Sequence, residues 1–222
     1  MIRRSPVVKS QFPEADFGAI IVKGLFVSSD RTQMDRILSA ELQQLKADHN
    51  EYDRKAAVKT EPLRHYVSYY KRYKKTYHVL GQLESVLLKD KTIPKIGVPI
   101  EAMFLSELKK LLLIGGHDLD KVDGQLTVHA ATEPVKYTSI SGKEQSVVAN
   151  DLYLADEKGV LSSIINGPDY RTRITENTNT ALYFIYGVDG VTKQLINEQL
   201  TTLAEYLSQA IQDVEIQFVI VE

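Results

Sequence analysis

Apolar positions recur along this chain with two periods, and the change from one to the other divides it roughly in half. Residues 19–22 and 25–27 are almost continuously apolar and read as one buried strand, interrupted at Lys23 and Gly24 as by a bulge. Ser28, Ser29 and Asp30 then offer N-caps for a helix in which Met34, Ile37, Leu38, Leu42 and Leu45 recur at helical spacing up to Asp48. Residues 49–61 are polar and predict an exposed loop or a frayed helix end. Helical spacing resumes at Arg64, and Leu80, Leu83, Val86 and Leu87 form a second stripe that residues 90–94 end. Pro99 suits the first turn of a further helix carrying Ile100, Phe104, Leu108, Leu111 and Leu112, which the pair Gly115 and Gly116 is expected to stop.

Beyond that pair the period shortens. Residues 126–129, 135–138, 152–154 and 160–165 read as strands separated by Gly or Asp/Asn turns, and residues 181–188 as a strongly apolar, aromatic strand. Leu195, Ile196, Leu200, Leu203, Leu207 and Ile211 mark a last helix over 193–211, and residues 214–221 alternate well enough to close a sheet. With no internal repeat or linker, the pattern predicts one α/β domain over residues 1–222, with mixed sheets.

Composition narrows the chemistry more than the fold. The 222 residues are 43% hydrophobic and 25% charged with a net charge of −2, so a uniformly basic nucleic-acid binder is excluded while a local basic face is not. The absence of cysteine excludes disulfides, thiol nucleophiles and Cys-based zinc or iron–sulfur sites. No apolar run follows Met1, Ile2, Arg3 and Arg4 as in a signal peptide, and a tight apolar run such as 111–114 is far too short for a bilayer. A cytoplasmic protein without membrane contact is expected.

Two segments invite functional readings. Placed on one helix, Tyr66, Tyr69, Tyr70, Tyr73 and Tyr77 gather on roughly one-third of the circumference, with Arg64, Lys71, Lys75 and His78 opposite. Periodicity favours a tyrosine-lined core face, and leaves Lys71 and Lys75 as candidate RNA-phosphate contacts on the solvated face. Asp118, Asp120 and Asp123-Gly124 imitate a calcium loop, but the spacing is wrong and its twelfth position is His129, so no metal is expected; aspartates bonding nearby backbone N–H groups suit the segment better. The five histidines form no zinc-spaced pair, and burial statistics favour structural roles for His117 and His129. No Gly-x-Ser-x-Gly elbow, Walker loop or dinucleotide fingerprint is present, which removes most nucleophilic and nucleotide chemistry and predicts no cofactor.

The order of features over residues 75–208 resembles the editing domain of the phenylalanyl-tRNA synthetase β subunit, the B3/B4 domain, and its free-standing relatives. The resemblance is carried by residues 83–88 (Leu-Glu-Ser-Val-Leu-Leu), Ile93-Pro94, Pro99-Ile100-Glu101 and the turn Asp118-Leu119-Asp120-Lys121-Val122 with Gly124. Ala130, residues 152–156, Asn166-Gly167, Ile174-Thr175 and Thr178 complete it. The chain departs from the synthetase pattern where Gly115 replaces a histidine, Met103-Phe104 a Thr-Asn pair, His129 an arginine and Pro134-Val135 a Gly-Glu pair.

The resemblance implies a single mixed α+β domain of two packed, mixed or antiparallel sheets with flanking helices. It also implies tRNA or aminoacyl-tRNA as partner, without DNA, and hydrolysis of a mischarged aminoacyl ester as the activity. Donors that orient a water and stabilise an oxyanion suffice for that reaction without a covalent nucleophile. By motif position, His117 and Asn166 are the catalytic candidates: His117 to orient water in place of the lost histidine, Asn166 to donate to a carbonyl. Glu101, to hold an amine, joins Asp118, His129 and Thr178 as candidates for substrate contact. Two alternatives stand beside this reading: a non-catalytic RNA- or synthetase-binding module, and a protein binding a small ligand in a closed apolar pocket. The state of the cavity beside Gly115 and Asn166, open and polar or plugged by Met103 and Phe104, separates them.

Overall fold

The apolar runs assemble into two sheets that share one hydrophobic core, seen in a computed structural model that describes residues 1–25 and 31–222. The expected strand residues Phe26 and Val27 and the expected caps Ser28, Ser29 and Asp30 lie outside the described residues. In chain order the elements are β1 (Arg3–Arg4), α1 (Pro6–Gln11), β2 (Phe17–Lys23), α2 (Thr32–Asp48), α3 (Arg54–Ala57), α4 (Leu63–Arg72), α5 (His78–Lys89) and α6 (Val98–Lys110). They continue as β3 (Ile114–Asp118), β4 (Thr127–Ala130), β5 (Val135–Thr138), β6 (Glu144–Val147), β7 (Leu152–Asp156), β8 (Gly159–Ser163), β9 (Gly167–Pro168), β10 (Thr180–Tyr186), α7 (Lys193–Ala210) and β11 (Glu215–Val219).

One sheet runs β11-β2-β10-β3 and is antiparallel throughout; the other runs β1-β4-β7-β8-β9 with only the β1–β4 pair parallel, and β5 and β6 form a separate hairpin. The central strand β10 is buried along nearly its whole length, as the apolar run over 181–188 predicts. Helix α7 presents Ile196, Leu200, Leu203 and Leu207 to the core and packs on β2 and α6. No helix among the described residues is long and apolar enough to cross a membrane.

Several local expectations change. The helix before the glycine pair ends at Lys110, where Leu111 takes a left-handed conformation (φ 63°) and closes the last turn onto Glu107. The buried Gln199 side chain then accepts from the Leu112 N–H (3.1 Å) and donates to its carbonyl (3.0 Å), drawing the chain out of the helix. Gly115 and Gly116 therefore lie inside β3, not at a helix end. Gly24 (φ 79°) ends β2 rather than bulging it, and residues 49–61 include the short helix α3, capped by Asp53. β6 and β9, short and polar or glycine-bearing, had no hydrophobic signal to announce them.

The expected single helix over 64–78 is two helices, α4 and α5, separated by a turn at which Lys74 has φ 57°. The tyrosine cluster survives the break because Tyr77, at the start of α5, returns to stack on Tyr66 with centroids 4.7 Å apart. Its hydroxyls reach several elements: Tyr66 donates to the Tyr186 carbonyl (2.6 Å), Tyr70 to the Ile164 carbonyl (2.6 Å), Tyr77 to the Leu111 carbonyl (3.2 Å) and Tyr69 to Asp151 Oδ1 (2.8 Å). Replacing Tyr66 by Phe leaves the buried Tyr186 carbonyl without this donor. The variant is expected to lose about 1–3 kcal/mol of stability, read as a lower urea midpoint at unchanged m-value.

Candidate functional site

A cavity of about 340 Å³ opens between the exposed edge of β3, the end of β8 with β9, and helices α5 and α6. Its walls are mostly apolar: Ile100, Met103 and Phe104 from α6, Leu113 and Ile114 at the start of β3, and Ile164, Pro168 and Ile174 opposite. His78, Gln82, Ile96, Ile140 and Arg173 also line it. Met103 and Phe104 make a wall rather than a plug, so the cavity is open and apolar, a combination between the two expected states.

The glycines of β3 make room for it. A Cβ on Gly116 would stand 2.9 Å from Ile174 Cδ1 and 3.0 Å from Met103 Sδ; one on Gly115 would stand 3.1 Å from His117 Nε2 and 3.3 Å from Ser162 Oγ. Neither glycine has a positive φ, so close approach, not backbone freedom, is the constraint.

At the deep end the cavity meets polar groups. Ser162 and Tyr186 line it, and His117, fully buried on β3, lies behind Ser162. Tyr186 Oη stands 2.6 Å from Ser162 Oγ, and Ser162 Oγ stands 2.9 Å from His117 Nε2. Thr172 Oγ1 lies 2.8 Å from His117 Nδ1 and donates its own proton to Asp169 Oδ1. Burial, reinforced by the nearby Arg171 charge, pushes the His117 imidazole down to about 3, so it is neutral at ordinary pH. The Glu107 carboxyl also lines the cavity; burial pushes it up to about 8 although the Ile114 N–H donates to Oε1 (3.1 Å).

None of the other residues singled out from sequence lines this cavity. Asn166 precedes Gly167 of the lining, with both ends of its amide engaged: Lys75 Nζ donates to Oδ1 (2.5 Å), and Nδ2 donates to the Ser146 carbonyl (2.7 Å). Asp118 accepts from the Asp120 N–H (3.1 Å) and from Thr178 Oγ1 (2.9 Å), an Asx-type turn that also pins the loop carrying Arg173 and Ile174. Glu101 lies outside the cavity. It caps α6 by accepting from the Ile96 and Gly97 N–H groups (2.9 and 2.8 Å) and pairs with Arg31 at 2.6 Å. Burial alone would raise its carboxyl, but the Arg31 and backbone donors outweigh burial and hold it below the usual range. His129 is in the other sheet, stacked on Tyr153 at 5.2 Å, away from the cavity. Lys71 is exposed at the end of α4, and Lys75 in the turn that leads to His78 on the cavity wall.

Ser162, Thr172, Asp169, Tyr186 and Glu107 escaped sequence reasoning. They come from four separate elements or loops, and only two short spacings bear on their contacts, Asp169 with Thr172 three residues on and Glu107 with Ile114 seven residues on.

The model of the B3/4 domain family matches residues 66–216. No curated protein matches the chain. Among solved structures it is similar to an N-terminal fragment of the phenylalanyl-tRNA synthetase β subunit from Pyrococcus horikoshii, with a TM-score of 0.53 and 15% identity over 100% of this chain. The match spans 51% of that fragment, about half its length. At that identity the likeness concerns the fold.

Glu107 gives the site a pH signature. Between about 4.5 and about 8 the folded chain keeps a proton on this carboxyl that the unfolded chain releases, so stability falls as pH rises through that window. Glu107→Gln is expected to flatten this part of the profile in urea unfolding measured from mildly acidic to mildly basic pH; unchanged slopes would contradict the assignment.

Proposed function

Because the chain belongs to the B3/4 domain family, we propose that its cavity receives the apolar side chain of an acyl or aminoacyl group carried as an ester on a tRNA 3′ end. The observation that carries this reading is the open cavity of about 340 Å³ beside Gly115 and Gly116, walled by Met103, Phe104, Ile100, Ile114 and Ile174. Its size lies in the ordinary range for small-ligand sites and suits a branched or aromatic side chain. Apolar walls select by fit, and each methylene too many or too few changes the binding energy by about 1–3 kcal/mol.

The turn between α4 and α5 supports tRNA as the carrier. Lys71 and Arg72 at the end of α4 and Lys74 and Lys75 in that turn are all exposed, three residues or more before His78 of the cavity wall. Phosphates held by this turn would lie next to the opening, and such contacts position a nucleic acid without reading its sequence. His117 and Ser162 stand at the deep end as the groups nearest a reacting ester; Asn166, already engaged by Lys75, serves the rim.

Deacylation of a panel of tRNAs charged with apolar and polar amino acids tests the proposal. Hydrolysis is expected for branched or aromatic apolar side chains and not for charged ones; no hydrolysis of any ester at enzyme concentrations above tRNA removes the hydrolytic part. Binding of tRNA is expected to weaken steeply with salt, and replacing Lys71 or Lys75 by Ala should each lower the slope of log K against log[salt] by about 1. The apolar lining also favours a second reading, a free amino acid or acyl ligand. Thermal stabilisation by phenylalaninamide or leucinamide, with no salt-dependent tRNA binding, selects that one.

A further inference from the structure

The chain of contacts behind the cavity runs in one direction. An ionised Asp169 only accepts, so Thr172 Oγ1 donates to it. The Thr172 oxygen, 2.8 Å from His117 Nδ1, then accepts the ring N–H, which leaves the Nε2 lone pair facing Ser162 Oγ at 2.9 Å. The Ser162 hydroxyl is thereby polarised toward an imidazole base that a third and a fourth group orient.

Two features of β3 open this pair to the cavity. A Cβ on Gly115 would stand against both His117 Nε2 and Ser162 Oγ, so the glycine leaves uncovered the side of the pair that a side chain there would occupy. The second is a backbone donor. In the antiparallel pairing with β10, Leu113 accepts from Tyr186, while the Ile114 and Asp118 N–H groups point the other way, to Glu107 and to the Thr172 carbonyl. Alternation places the N–H of Gly116 on the same outward side, between those two, on the cavity lining. An outward N–H at this position of the lining can donate to an oxyanion formed in the cavity.

We propose that Ser162 is an acyl-accepting nucleophile with His117 as its base, Thr172 and Asp169 orienting the base and the Gly116 N–H stabilising the oxyanion; this rests on the acyl-pocket reading above. Ser162 Oγ adds to the ester carbonyl carbon while its proton passes to Nε2. The carbonyl–oxygen bond to the alcohol then breaks, and that proton leaves on the alcohol. Water adds to the Ser162 ester in the same way, the acyl–Oγ bond breaks, and the acid and the free hydroxyl are restored. Burial makes a lasting imidazolium costly, so the site is matched to esters with a good leaving group or an activated carbonyl, as an aminoacyl ester has.

An alkyl fluorophosphonate tests this, since attack by a serine oxygen forms a P–O bond, breaks P–F and releases fluoride. The full chain is expected to take up one equivalent, mapped to Ser162 by peptide mass. Labelling should vanish in Ser162→Ala and slow at least tenfold in His117→Gln, and p-nitrophenyl isovalerate turnover should fall in parallel. No adduct, or an adduct on another residue, overturns the proposal; the wild-type mapping decides this even if a variant fails to fold. Stabilisation by leucinamide is measured alongside. If it persists while no adduct forms, the nucleophile falls and the pocket stands; an adduct at Ser162 without any ligand shift supports the nucleophile and removes the pocket reading.

Discussion

Four buried phenols between two sheets are the constraint on which the rest of the structure depends. A tyrosine ring contributes a large apolar surface, yet its hydroxyl must find a partner once water is excluded. In α4 and α5 each hydroxyl finds it on a different part of the chain: the end of β10, the residue after β8, the link into β3, and Asp151 before β7. Burial pushes all four phenols well above their ordinary value, so they remain donors over any physiological pH. Satisfying four acceptors at once fixes where the two sheets stand relative to the helices. The cavity is the space this arrangement leaves beside the free edge of β3.

The same logic extends through Tyr186. Its ring belongs to β10, but its hydroxyl accepts from the Leu154 N–H of β7 (3.2 Å) and meets Ser162 of β8, so the four- and five-stranded sheets are joined by a polar seam inside an apolar core. His117 enters this seam from β3. A seam of this kind stabilises only when every member is paired, which here is achieved through Thr172 and Asp169. The rigidity that results is also what a reacting hydroxyl requires, since its geometry is set before any ligand arrives.

Much of this was legible in the sequence, and the parts that were not share a cause. Helical stripes such as Leu200–Leu203–Leu207 and the long apolar strand at 181–188 declare a face to bury, so α7 and β10 emerged near their observed bounds. The tyrosine core was legible even though its helix is broken, because burial follows residue type across a turn as well as along a helix. Asp118 was readable as a backbone-bonding turn because an Asx contact is local. The contacts of Ser162 and Thr172 with His117 were not, since they span 45 and 55 residues and exist only after the sheets have packed; Glu107, seven residues from the N–H it accepts, carried no motif. Glu101 illustrates the opposite error: a motif position suggested substrate contact, whereas the pairing with Arg31 70 residues away and the α6 cap occupy both its oxygens.

The glycine pair shows how one local feature serves two readings. Judged by turn chemistry, Gly115-Gly116 resembles a helix stop; judged by what stands 3 Å from each missing Cβ, it is an edge strand stripped of side chains to admit its neighbours. Gly115 stands where the synthetase pattern carries a histidine, and taken alone that substitution removes a working group. Yet residues i and i+2 of a strand share a face, and His117 Nε2 comes within 3.1 Å of the position a Cβ at 115 would take. The His117 imidazole, two residues along the same strand, lies against the glycine and is tied to Ser162. The missing side chain at 115 thus leaves room both for the buried ring beneath it and for the cavity in front of it.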